Sequence, residues 1–291
     1  MTNCTVERLK ALRRHYQEQR FFSQRIRRIR CGNFEIEAPQ NHLLAHILPK
    51  QPLRDQGIGL AASHMAKKYP EGTFVDIGAN IGDTAAIMAS YAHNKLILVE
   101  PSDYFFPILS RNVKRFANEI VLVKTMISDG TPVSGELHHW AGTASISAGS
   151  KSQGATPTRK LSEIAPDSTR FVKLDTDGLD FKIISASLNW LDTVRPALMV
   201  EDQIRKSTDL QEANETFFKL ADIGYDSFIV WDDPGLHVLS TKSIEAIRDL
   251  NHYLFQLWSV DRRKAIHNYD ILCLHHTDAD VFESMSAQCR A

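Results

Sequence analysis

Cysteine is scarce in this chain: Cys4, Cys31, Cys273 and Cys289 are the only four in 291 residues, and they are widely separated. Their spacing excludes a disulfide framework and any Cys-x-x-Cys metal pair, and suits a reducing compartment, so a cytoplasmic location is the expectation. Long apolar runs are also missing. No stretch approaches the roughly 18–20 residues that span a bilayer, and "MTNCTVERLK" has no apolar middle segment of the kind a secretory signal carries. Nor is there a strong charge imbalance. A formal net charge of −1 gives the whole chain no attraction to nucleic acid or any other polyanion. What remains, 43% hydrophobic and 24% charged residues, is the composition of a globular chain with a sizeable core.

The charge is distributed unevenly. Residues 5–30 hold nine Arg or Lys against Glu7 and Glu18, so 9 − 2 gives a local +7. Val6, Leu9, Leu12 and Tyr16, then Phe22, Ile26 and Ile29, recur near helical spacing and predict a basic amphipathic helix or a broken pair. Such a helix packs with a solvated basic face, lies on an anionic membrane or grips phosphates. "GNFEIEAP" at 32–39 reads as a short strand with Phe34 and Ile36 on one face, and a helix follows near 55–69.

From Thr73 onward, strand-length apolar runs at 73–77, 95–100, 120–125, 171–175, 197–201, 226–231 and 269–274 alternate with helical patterns. The helices are expected at 83–92, 103–118, 180–190, 209–223 and 241–254. This rhythm predicts a doubly wound, mostly parallel seven-stranded α/β sheet covered on both faces. The expected organisation is an N-terminal helix-and-strand extension over 1–70, a main domain over 71–276 and a tail over 277–291. Residues 128–168, rich in Gly, Ser, Thr and Pro, interrupt the rhythm and read as a long site loop with a hairpin near "GELHHW".

"FVDIGANIGDT" at 74–84 places a glycine turn between a strand and a helix, the usual position of a nucleotide-type site. Gly78 and Gly82 allow a close backbone approach. A dinucleotide fingerprint would carry glycine where Asn80 and Asp83 stand. Asp83 would compete with a phosphate for the positive helix end, and Asp76 adds further negative charge. The turn suits a ligand that is not anionic there, and S-adenosylmethionine, with its sulfonium and ammonium groups, meets that requirement. Asp76 would face the ammonium, Glu100 at the next strand end would bind the ribose hydroxyls, and Ser128 and Asp129 after the third strand would reach the adenine.

"DIGANIGDT", "VEPS" at 99–102 and "KLDTDGLDFKIISAS" at 173–187 together resemble the FkbM-type family of class I methyltransferases, over roughly residues 74–275. "ALMVE" at 197–201 and "YDILCL" at 269–274 fit the same layout. The resemblance implies a Rossmann-like fold, S-adenosylmethionine as cofactor, and O-methylation of a sugar or natural product. Ala186 stands where the family commonly has Gly, and Asp177 where many members have Glu.

Methyl transfer to an alcohol needs in-line positioning and a group to take the hydroxyl proton. Asp175 at the strand end is the first candidate, with Lys173 beside it as a balancing cation. His138 or His139 in "GELHHW" is the second; neighbours on a strand point to opposite faces, so at most one faces inward. Asp180 reads chiefly as a cap of the helix near Phe181, and "GTASIS" at 142–147 as a loop able to wrap a ligand. Asp175, Asp177 and Glu201 offer hard oxygens to a divalent metal, although no recognisable spacing completes a site. Two other functions compete: a nicotinamide-dependent oxidoreductase on a related sheet, and a non-catalytic module docking through residues 5–30. A small-molecule or glycan acceptor is the expected partner, and nucleic acid is not.

Overall fold

Alternation within each strand divides the core into two layers. The structure, a computed structural model, describes residues 25–134, 136–140, 143–147, 155–260 and 266–290. In β3 (Thr73–Ile77) and β6 (Thr169–Leu174), Phe74 and Phe171 enter one layer while Val75, Ile77, Val172 and Leu174 enter the other. That two-sided burial is why these strands read as continuous apolar runs. They join β4 (Lys95–Val99), β5 (Ile120–Val123) and β7 (Ala197–Asp202) in a parallel array.

Beyond β7 the sheet turns antiparallel through β8 (Tyr225–Asp232), β9 (His237–Thr241) and β10 (Tyr269–His275). The order is β9-β8-β10-β7-β6-β3-β4-β5, so the seven expected strands are joined by an eighth, β9. The order reverses at β3, where β4 and β6 leave to opposite sides. Ligands of open α/β sheets bind at the carboxyl ends of strands at such a reversal.

One face is covered by α2 (Gln56–Lys68), α3 (Asp83–Tyr91) and α4 (Phe106–Asn112), which follow the short α1 (Leu44–Ile47) in sequence. The other is covered by α5 (Asp180–Ala186), α6 (Leu188–Val194), α7 (Ser207–Asp222) and α8 (Ile244–Val260). The single helix expected over 180–190 is two, separated at Ser187, whose hydroxyl donates to Ile183 O at 2.6 Å. Residues 277–291, expected as a tail, contain α9 (Ala279–Arg290), and its Val281, Phe282 and Met285 are buried in the same layer as α2.

The expected basic helix over 5–30 does not extend through its last residues. Residues 5–24 lie outside the described structure, but β1 (Ile26–Cys31) is a strand paired antiparallel with β2 (Phe34–Pro39). Ile29 faces Ile36 across this hairpin and both are buried. The period of two from Ile29 to Cys31, and the two-residue turn Gly32-Asn33, override the helical reading. Gly32 has φ +55, and a Cβ there would meet Ser90 Oγ at 2.3 Å. No described helix is long and apolar enough to cross a membrane.

Candidate functional site

The carboxyl ends of β3, β4, β6 and β7 meet around one cavity of about 280 Å³. Its first wall is the turn after β3. Gly78 and Ala79 donate their N–H groups to Val99 O at 3.0 and 2.9 Å, drawing the turn onto β4. Gly78 has φ +82, and a Cβ there would lie 1.9 Å from Asp175 O. Backbone meets backbone at that point, so only glycine fits. Asp55, Asn80 and Asp177 are three of the four described non-glycine residues with positive φ, and all three line the cavity. Backbone strain of this kind gathers where surroundings hold a ligand site in shape.

Glu100 forms the second wall, only 3% exposed. Its Oε2 accepts from Asn80 N at 2.9 Å and its Oε1 from Ser102 N at 2.7 Å. Each oxygen keeps a further lone pair, so the carboxylate is pinned from behind and available in front. Burial pushes Glu100 up to about 7, against the pull of those two N–H groups. Asp83 is raised to about 7 as well, by burial and then by Asp55.

The third wall belongs to β6. Lys173, 4% exposed, lies within 3.1 Å of Asp175 Oδ2 and 3.5 Å of Asp76 Oδ1. Burial opposes its charge, yet Asp175, Asp76 and Asp83 hold the ammonium well above its usual value. Asp76 also accepts from Thr84 Oγ1 at 2.6 Å. Asp180 accepts from Thr176 N at 3.0 Å, and Thr176 Oγ1 accepts from Leu179 N at 3.2 Å, which fixes the "DTDG" turn. On the far side, Glu201 faces Asp270 directly across β7 and β10. Burial raises Glu201 well above the usual carboxylate range and Asp270 to about 8, with neighbouring carboxylates adding to both.

Of the expected residues, Gly78, Asn80, Asp83, Glu100, Lys173, Asp175, Asp177 and Glu201 line this cavity. Asp76, Gly82, Ser128 and Asp129 do not. Asp76 is fully buried behind Lys173 and acts as its counter-ion rather than as a surface presented to a ligand. Gly82 opens α3. The wall after β5 is made by Thr125, Met126 and Ile127 instead, because Met126–Ile127 pairs with Thr158–Arg159 and Ser128 N donates to Arg159 O. The Asp129 carboxylate is taken by Thr131 N and Oγ1. His138 and His139 lie on the strand Glu136–Trp140, paired with Thr143–Ser147, and their side chains are outside the described structure.

His42, Arg54 and Asp55, all from the N-terminal extension, also line the cavity and carry no recognisable sequence signal. Asp55 occupies the N-cap position of α2, and its side chain makes no cap hydrogen bond. Burial raises its carboxyl pKa. Arg54 Nη1 donates to Asp233 O at 3.1 Å, tying this segment to the end of β8. The wall therefore carries six carboxylates, of Asp55, Asp83, Glu100, Asp175, Asp177 and Glu201, against two cations, Arg54 and Lys173. Among the described residues, no group of three or more His, Cys, Asp or Glu side chains is placed to hold a metal ion.

No protein-family model matches the sequence, and no curated protein does. Among solved structures, the chain is similar to methyltransferase FkbM from Methylobacillus flagellatus KT, at 16% identity and a TM-score of 0.43, over 69% of this chain and 43% of that one. It is similar to M. jannaschii TYW2 in complex with AdoMet, at 9% identity and 0.42, over 85% and 84%. The METTL16 MTase domain matches at 13% and 0.45, over 84% and 74%. The chain thus spans under half the length of the first. At such identities the likeness concerns the fold alone.

Proposed function

We propose that this chain is an S-adenosylmethionine-dependent methyltransferase of the FkbM type, acting on a hydroxyl of a sugar or another small hydroxylated acceptor. The observation that carries this reading is the charge and shape of the cavity. A carboxyl group pinned at the end of β4 suits a ribose diol, and six acidic side chains against two basic ones, with burial holding Asp83 and Glu100 near 7 and Glu201 above the usual range, favour a cationic ligand that draws off their protons and disfavour a diphosphate. Residue pattern supports the narrower family assignment: "DIGANIGDT", "VEPS" and "KLDTDG" all contribute to this one wall.

When bound, S-adenosylmethionine supplies a methyl group on a positively charged sulfur. Gly78 gives its backbone room, Glu100 accepts from its ribose, and the crowded carboxylates stabilise its positive charge. Asp175, held by Lys173, is the group placed to take the acceptor's hydroxyl proton. Leu43, Leu44 and Ile47 add an aliphatic stretch to the cavity lining. In this reading residues 71–276 form the catalytic unit, and the extension before them closes the cavity through His42, Arg54 and Asp55.

Calorimetric titration with S-adenosylmethionine and, separately, with NAD and NADP tests the cofactor. Saturable binding of the first alone is expected; saturable binding of a nicotinamide dinucleotide alone reverses the reading. Incubation with methyl-labelled S-adenosylmethionine and hydroxylated metabolites then tests transfer, and label on nitrogen rather than oxygen removes the O-methyl assignment.

A further inference from the structure

The described end of the basic segment, residues 25–30, is not among the residues that line the cavity and forms a built surface. We propose that the face formed by β1 and the end of α4 docks on an anionic lipid surface. Alternation along β1 buries Ile29 and Cys31 and leaves Ile26, Arg28 and Arg30 exposed on the outer side. Arg25 precedes the strand and Arg27 lies within it. The hairpin packs on α3 and α4, and Asn112 stitches it there by accepting from Glu37 N at 2.7 Å and donating to Glu37 O at 2.8 Å. This brings Arg111, Lys114 and Arg115, all exposed, onto the same face.

On this face Arg28, Arg30, Arg111, Lys114 and Arg115 stand against Glu35 and Glu37, so five cations against two carboxylates leave 5 − 2 = +3. Arg111 and Arg115 share the single carboxylate of Glu37, at 2.9 and 3.4 Å. Arg28 meets Glu35 only at 3.9 Å, with both side chains about two-thirds exposed, at 68% and 64%. A like-charged surplus on one rigid hairpin is self-repulsive, and a polyanionic partner relieves it.

The chemistry of the neighbouring exposed residues selects lipid over nucleic acid. Ile26 is 44% exposed and pairs with Pro39, four residues before Leu43, which is also 44% exposed. Both are aliphatic, as an acyl interface requires, whereas single-stranded nucleic acid is held on aromatic platforms. Residues 1–24, which precede Arg25 in the sequence, carry five more Arg or Lys against Glu7 and Glu18.

The test is sedimentation of the full chain with vesicles of phosphatidylcholine alone and with about 30 mol % phosphatidylglycerol, at low and high salt. Binding is expected only to the anionic vesicles and is expected to weaken with salt. Arg28→Gln/Arg30→Gln should reduce the partition coefficient on the order of 25-fold, about fivefold per arginine. Ile26→Ser should reduce it several-fold without changing the charge. All three side chains are exposed, and an unchanged melting temperature verifies that the variants fold. Absence of binding to the anionic vesicles overturns the proposal, as does equal binding by wild type and both variants. Tighter binding to an oligonucleotide than to the vesicles at the same salt also overturns it and makes the face a nucleic-acid surface.

Discussion

Replacing Lys173 with Met tests the electrostatics of the site without any knowledge of the acceptor. The ammonium is shared by Asp76 and Asp175, but the two carboxylates differ in what remains after its removal. The Asp175 side chain is 41% exposed and can be hydrated. Asp76 is fully buried, and it keeps only the Thr84 hydroxyl, 2.6 Å away. Removing one partner of a buried pair typically costs about 3–5 kcal/mol, and here the cost falls on Asp76. At about 2–4 °C per kcal/mol for a chain of this class, the melting temperature should drop by roughly 10 °C.

The double variant Asp76→Asn/Lys173→Met removes the orphaned charge and should recover about 2 kcal/mol of that loss. Because the folded pKa of Lys173 is raised, its contribution is complete below the unfolded value of about 10.4 and fades only above it. The wild-type advantage from lysine protonation should therefore be flat from about pH 5 to 9 in urea melts. If Lys173→Met melts within about 2 °C of wild type, or if the double variant is the less stable, the ion pair does not organise this site.

Further outcomes can be measured independently. Asp83 and Glu100 stand near 7 because burial penalises their charge, and a cation bound beside them lowers both, releasing protons. S-adenosylmethionine should bind more tightly as pH rises from about 6 to 8, with proton release visible as different heats in buffers of different ionisation enthalpy; pH-independent affinity contradicts this. Gly78→Ala combines a left-handed backbone with a Cβ 1.9 Å from Asp175 O, so cofactor affinity should fall at least about tenfold while circular dichroism is retained. Unaltered binding would show that the turn does not touch the ligand. Asp202 is fully buried, one oxygen has no hydrogen-bond partner, and burial raises it to about 8. Its proton is retained on folding above its unfolded pKa, so stability falls with rising pH up to about 8. Asp202→Asn should therefore gain on wild type by about 1.4 kcal/mol per pH unit between about pH 5 and 8 in denaturant titrations, and a constant difference would mean the carboxyl is already ionised.

The parallel strands were legible because burial on both faces writes an unbroken apolar run, and the turns after them because glycine and acid cluster there. Roles that depend on register were not. Asp76 reads as a strand-end carboxylate open to a ligand. Its actual neighbour, Lys173, is fixed by the pairing of β3 with β6, strands almost a hundred residues apart in the sequence. No local pattern encodes that pairing, and one buried cation turns a ligand-facing acid into a structural one. Asp55 has no local signal at all: it lies in the extension, and only the folded chain sets it at the N-cap position of α2, with a left-handed backbone, on the cavity lining.

Residues 26–31 show how a weak periodicity loses to turn chemistry. Ile26 and Ile29 are three apart, as in a helix, but Gly32-Asn33 reverses the chain and pairs Ile29 with Ile36. The consequence reaches beyond secondary structure. A helix could rotate its basic face freely toward solvent, whereas a hairpin stitched to α4 through Asn112 holds Arg28 and Arg30 on one side. Strand alternation directs Arg28 and Arg30 outward for the same reason that it directs Ile29 inward. The burial that anchors the hairpin is therefore also what presents its charge.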